Sequence, residues 1–154
     1  MTDQLSTRYW PEGERQSRWA EAIGNTYFPL SLEFNSSAIF QGSLKIWKTG
    51  STPLALSRLR SSQLGYSRSE SQVSEDTEPC YLVTVPRLTE VHFEQDGREL
   101  HCKPGGFIFE RGDAPYRFHY SCDNDLWVFK LPERALHGQI RGAERYTRFC
   151  FEAR

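Results

Sequence analysis

No stretch of this 154-residue chain approaches the ~20 consecutive apolar residues that a membrane-spanning helix needs, so an integral helical membrane protein is excluded at the outset. Cys80, Cys102, Cys122 and Cys150 are widely spaced with no CxxC pair, so a zinc ribbon or a redox dithiol has no local seed. Four reduced thiols in or near a core are the expectation. Charge of one sign is also lacking: 19 Lys and Arg face 20 Asp and Glu. That balance denies the chain the concentrated basic footprint needed to neutralise nucleic-acid phosphates. G-x-S-x-G elbows, phosphate-binding glycine loops, dinucleotide fingerprints and His-x-His pairs are all missing, so hydrolytic and nucleotide chemistry have no visible seat, and no cofactor is expected. The first residues show neither the basic nor the apolar region of a secretory leader, and a cytoplasmic location is the default expectation.

What is present is aromatic and turn-rich. Aromatics make up 14% of the chain and hydrophobic residues 38%, enough for one sizeable core in a single domain. The most informative stretch is 97–132, GRELHCKPGGFIFERGDAPYRFHYSCDNDLWVFKLP. Asp96-Gly97 tolerates positive φ and suits a two-residue type I′ loop between strands at 89–95 and 98–103. Pro104-Gly105-Gly106 breaks the second of these, and further strands are expected at 107–109, 116–120 and 126–131. Short strands at roughly 8–12-residue spacing read as an antiparallel barrel or sandwich.

The same punctuation organises the rest. Trp10-Pro11 opens an expected helix through Arg15, Trp19, Ala20 and Ile23, with Gly24 as its stop. Extended segments are expected at 28–34 and 38–40, then strands at 42–48, 54–60 and 80–85. The serine-rich segment 61–79 reads as a loop or a weak edge strand. After Pro132 the pattern shifts to a short helix with Leu136, His137 and Ile140, ended by Gly142.

The segment GRELHCKPGGFIF at 97–109, followed by DAPYRFHY and LWVFKLP, resembles the N-terminal, cupin-like effector-binding domain of the AraC/XylS family of bacterial transcription regulators. About 10–136 can be laid on that pattern. Gly106 stands where the family usually has Asp, and Pro86-Arg87-Leu88 where it often has Gly. The resemblance implies a mostly-β, cupin-like antiparallel barrel with an N-terminal helix and a short C-terminal helix. It divides the chain into an arm and helix at 1–25, a barrel at 26–132 and the start of a helical linker at 133–154. It also implies a small-molecule effector, a possible homodimer, and DNA contact only through two helix-turn-helix units in a further segment of roughly one hundred residues not contained in this sequence.

Candidate ligand residues follow from both sources. Trp127 matches, by the resemblance, the position where the arabinose-responsive member stacks an indole on its sugar. Trp47 and Tyr116 are weaker candidates of the same kind, although aromatics on strands more commonly fill a core. Arg58 and Arg60 share a strand face with Leu54 and Leu56; this is either a strand end emerging into solvent or an anion-recognising fork in the barrel mouth. Aromatics suggest a ring-bearing effector and the arginines a carboxylate. The different-class alternative is a metal-dependent cupin enzyme, a dioxygenase or isomerase, using His92, Glu94, His101 and His119. Against it, Glu90, His92 and Glu94 alternate as the wet face of a strand, and His92 with His101 reads as an exposed cross-strand pair.

Overall fold

Asp96 and Gly97 adopt φ of 53° and 74°, the double positive φ of a type I′ loop, and this turn sets the register of the hairpin it closes. The arms are Val91–Gln95 and Arg98–Cys102, with His92 opposite His101 and Phe93 opposite Leu100. The computed structural model describes residues 2–35, 37–48, 50, 54–75, 78–136, 139, 141–146 and 149–152. Its strands in chain order are β1 (Thr2–Ser6), β2 (Ser31–Phe34), β3 (Gly42–Lys48), β4 (Ala55–Ser61), β5 (Leu64–Arg68), β6 (Cys80–Pro86), β7 (Val91–Gln95), β8 (Arg98–Cys102), β9 (Gly106–Arg111), β10 (Tyr116–Tyr120), β11 (Asn124–Pro132) and β12 (Cys150–Glu152). The helices are α1 (Arg15–Thr26), α2 (Glu70–Glu75) and α3 (Glu133–Leu136).

Two antiparallel sheets face each other. The first has the order β1-β3-β4-β11-β6-β9-β12, the second β2-β5-β10-β7-β8. The non-consecutive neighbours, such as β11 between β4 and β6, make this a cupin-like barrel and not a simple meander. Period two sends Leu59, Leu126 and Val128 inward from the first sheet and Phe93, Phe118 and Tyr120 inward from the second. Helix α1 closes one end. Trp19 and Ile23, four residues apart on its apolar stripe, are fully buried against Phe40 and the barrel core.

Several elements depart from the sequence expectation. α1 runs through Gly24 to Thr26, since a glycine mid-helix costs only about 1 kcal/mol and Ile23 anchors the turn around it. The serine-rich segment contains β5 and α2, because Leu64, Tyr66 and Arg68 alternate inward while Ser69, Ser71 and Ser74 are exposed. Residues 38–40 form no strand. β1 and β12, which the pattern does not announce, pair with the edges β3 and β9. α3 ends at Leu136, and His137 and Ile140 of the expected helix lie outside the described residues. None of the four cysteines is disulfide-bonded; Cys80 and Cys102 are buried and Cys122 is exposed. No helix among the described residues is long and apolar enough to cross a membrane.

Candidate functional site

Beneath α1 the barrel holds a cavity of about 40 Å³ lined by apolar side chains from both sheets, including Leu59, Leu82, Phe118, Leu126 and Val128. Into this lining project Glu110, Thr84, Tyr66 and Tyr116. Glu110 arrives there by alternation: Gly106, Ile108 and Glu110 take the inward positions of β9. Its side chain is buried, its carboxyl is hydrogen-bonded by Thr84, and Oε1 has no partner. Burial disfavours the ionised form and pushes Glu110 up to about 8, outweighing the opposing Thr84 hydrogen bond. At neutral pH the group is therefore a carboxylic acid, able to donate one hydrogen bond and accept another.

The hydroxyls of Tyr27, Ser57, Ser61, Tyr66 and Tyr120 are partnered. Tyr27 shares a 2.6 Å hydrogen bond with Ser57, whose hydroxyl also donates to the Val128 carbonyl at 3.3 Å. Tyr120 is bonded to Tyr66 at 2.7 Å and to Ser61. Burial raises the Tyr27, Tyr66, Tyr116 and Tyr120 phenols, Tyr120 to about 12, so all remain neutral donors or acceptors. Among the described residues Trp19 Nε1, Gln95 Oε1 and Glu110 Oε1 are buried without a hydrogen-bond partner, and of these only Glu110 lines the chamber, where an unpaired oxygen costs free energy until something satisfies it.

Ile23 of α1 and Tyr27, the residue that caps its C-terminus, form the roof. Past Tyr27 and Ser57 lies an open groove of about 570 Å³ between α1, β1 and the ends of β3, β4 and β11, whose walls include Leu5, Trp10, Ala22 and Lys130. Tyr27, hydrogen-bonded to Ser57, thus lines both the small chamber and the large groove. The C-terminal end of α1 is held there by Lys130, whose Nζ donates to the Tyr27 carbonyl at 2.6 Å and lies 3.5 Å from that of Thr26. A cation satisfying last-turn carbonyls is a favourable C-terminal cap.

The residues named from sequence are distributed over three places. Tyr116 lies in the cavity wall. Trp47, Arg58, Arg60 and Trp127 are brought together, but on the outer face of the first sheet, because Ser57, Leu59, Ser61, Leu126 and Val128 occupy the inward positions of the same strands. The fork therefore lies outside the barrel mouth. Trp47 stacks on Trp127 with centroids 5.5 Å apart and planes at 17°. Arg58 lies over Trp127 and binds Asp125 through two contacts of 3.0 and 2.7 Å, with Arg60 3.7 Å from the same carboxylate. Hydrogen bonding from Arg58 holds Asp125 below its ordinary range. His119 sits with His92, Glu94 and His101 on the outer face of the second sheet. Among the described residues, no three metal-ligating side chains converge inside the barrel, where the enzymatic reading would need them. Glu110, Thr84 and Tyr27 were not singled out by sequence; the available signal was a carboxyl at an inward position of the apolar run Phe107-Ile108-Phe109.

A two-sheet antiparallel barrel with an apolar chamber under a helix defines a cupin-like domain. The sequence profile of the AraC-binding-like domain matches residues 19–152, and the chain belongs to that family. A curated relative, an uncharacterized protein in the nit 5′ region of Bacillus sp. (strain OxB-1), is 28% identical over 138 residues, which cover 89% of this chain and 52% of that protein. The crystal structure of the AraC-like transcriptional activator CuxR superposes with a TM-score of 0.78 at 18% identity, over 94% of this chain and 52% of that one; this likeness shows the fold. The chain thus spans about half the length of both.

Proposed function

We propose that this chain is the ligand-sensing part of a cytoplasmic transcription regulator, taking a small ring-bearing molecule into the barrel beneath α1. The observation that carries the reading is Glu110: a buried carboxyl with an unpartnered oxygen at the wall of an otherwise apolar chamber. Tyr116 and Phe118 supply aromatic surface beside it, and the cavity wall includes no lysine or arginine among the described residues. Of the two effector chemistries expected from sequence, this lining favours the ring over the carboxylate. Glu110 supplies orientation by hydrogen-bonding a hydroxyl or amide on the ligand.

A cavity of 40 Å³ has room for about one water molecule, so binding requires α1 to move. Displacing Ile23 and Tyr27 joins the chamber to the groove outside. The ligand then stabilises the open position of α1 at the expense of the closed one, which is the differential affinity any switch needs. In a longer regulator that change reaches a DNA-contacting segment outside this chain, and a second copy where the regulator is a homodimer. The role is binding, not catalysis, since among the described residues the chamber holds a neutral acid but no nucleophile–base pair.

The test is equilibrium binding of a panel of small phenols and aromatic amides to the wild type and to Glu110→Leu. At least one compound binds the wild type with an affinity at least about tenfold greater than the variant, the cost of losing a buried polar contact. A panel bound equally by both proteins removes Glu110 from the site.

A further inference from the structure

Three histidines form a single rung across three strands of the second sheet. The register sets His101 opposite His92, and His92 opposite His119. Directly opposed side chains on one face stand about 4.5–5.5 Å apart at Cβ, close enough for their rings to share one small ion. The His92 and His101 ring centroids are 4.2 Å apart, and His119 stacks on His92 at 4.7 Å with planes at 21°. Glu90, just before β7, completes the group: its Oε1 is 2.9 Å from Nδ1 of His101 and 3.4 Å from Nε2 of His92. One donor atom from each of Glu90, His92 and His101 lies within 4.8 Å of the others.

We infer that Glu90, His92 and His101 form a binding site for a divalent transition-metal ion of the zinc class, held on the outside of the barrel with a coordination position open to water. A tetrahedral ion with ligands at about 2.0–2.2 Å holds its donor atoms roughly 3.3–3.6 Å apart, within a small rotamer adjustment of the spacing here. Two imidazoles and one carboxylate suit zinc, cobalt or nickel better than magnesium or calcium.

The surroundings support such a site in three ways. Glu99 Oε1 lies 3.5 Å from Nε2 of His101, the nitrogen facing away from Glu90, as an outer carboxylate that orients a metal-bound imidazole does. The His119 ring fixes the plane of His92. Glu90 is held by its neighbour in sequence: Asn124 accepts from the Leu88 and Thr89 amides and donates to the Thr89 carbonyl. Side-chain exposures of 31% for Glu90, 29% for His92 and 50% for His101 leave the group open to an ion carrying its own waters. Ordinary cross-strand pairing accounts for neighbouring histidines, but not for one carboxylate oxygen reaching both rings. The site lies on the opposite face of the second sheet from Glu110 and rests on nothing in the barrel reading.

The test is equilibrium dialysis of the untagged chain against zinc, with metal analysis, in a Cys122→Ser background so that the exposed thiol does not compete. About one zinc per chain is expected for the parent, with a loss of affinity of at least about tenfold in His92→Ala and in His101→Ala, and a loss of about tenfold in Glu99→Gln. Circular dichroism confirms that the variants are folded. A parent that takes up no zinc, or a folded His92→Ala/His101→Ala double variant that binds it undiminished, overturns the assignment.

Discussion

The outer face of the first sheet and the chamber under α1 are both built from aromatic and polar residues, yet their polar groups differ in state. Outside, Arg58 is paired with Asp125 and stacked near Trp127, which in turn stacks on Trp47. Inside, Glu110 keeps a buried oxygen with no partner. On this outer face the conspicuous chemistry is therefore already satisfied by its own neighbours, while the unpartnered group of the chamber is a glutamate in an apolar strand. Ligand-binding capacity is better read from unmet demand than from conspicuous residue types.

Substitutions sharpen this contrast, the largest effect being expected under the lid. Trp19→Ala removes a fully buried indole packed against Phe40 and costs about 3–5 kcal/mol in denaturant unfolding, whereas Trp127→Ala on the outer face costs clearly less. Equal losses would erase the distinction between inside and outside. Next comes pH. Glu110 holds its proton to about 8 when folded, while the unfolded chain ionises near the ordinary 4.5, so the unfolded state loses its proton first. Stability from this group therefore falls as pH rises between those values and is level above about 8. By pH 7 the loss is at most about 3 kcal/mol, and Glu110→Gln should abolish that slope in unfolding curves taken at successive pH values.

Gly42→Ala comes third: a Cβ there would lie 2.9 Å from the Trp19 ring, so a loss of roughly 1–3 kcal/mol in the same assay is expected from crowding under the lid. The smallest effect is outside. Asp125 is held low by Arg58, so this pair stabilises above the ordinary carboxylate range and the contribution is lost as pH falls through the depressed value. In Arg58→Ala the Asp125 carboxyl titrates at higher pH than in the wild type, as followed by carbon NMR. An unchanged titration would mean that Arg58 is not the cause.

Much of the barrel was legible in the sequence. Asp96-Gly97 gave the hairpin, Pro104-Gly105 the corner, and β3 and β10 match their expected ranges of 42–48 and 116–120. β1 and β12 were not legible, since edge strands take their order from a neighbour's open hydrogen bonds and need no alternation of their own. The candidate site was harder. Along β11, Leu126 and Val128 alternate with Trp127 and Phe129, so both faces are apolar and periodicity alone does not say which points in. Register settles it by placing Trp127 opposite Arg58 and Val128 opposite Ser57. Glu110 was missed because a charged residue at the end of an apolar run reads as the strand leaving the core, and only the closed barrel shows that it stays within.

The most direct test of the central claim is methyl and indole NMR of the wild-type chain titrated with the phenol and amide panel. The account predicts that binding shifts the methyls of Ile23, Leu82 and Val128 around the chamber and leaves the Trp47 and Trp127 indoles largely unmoved. Shifts confined to those two indoles would place recognition on the outer face and contradict it.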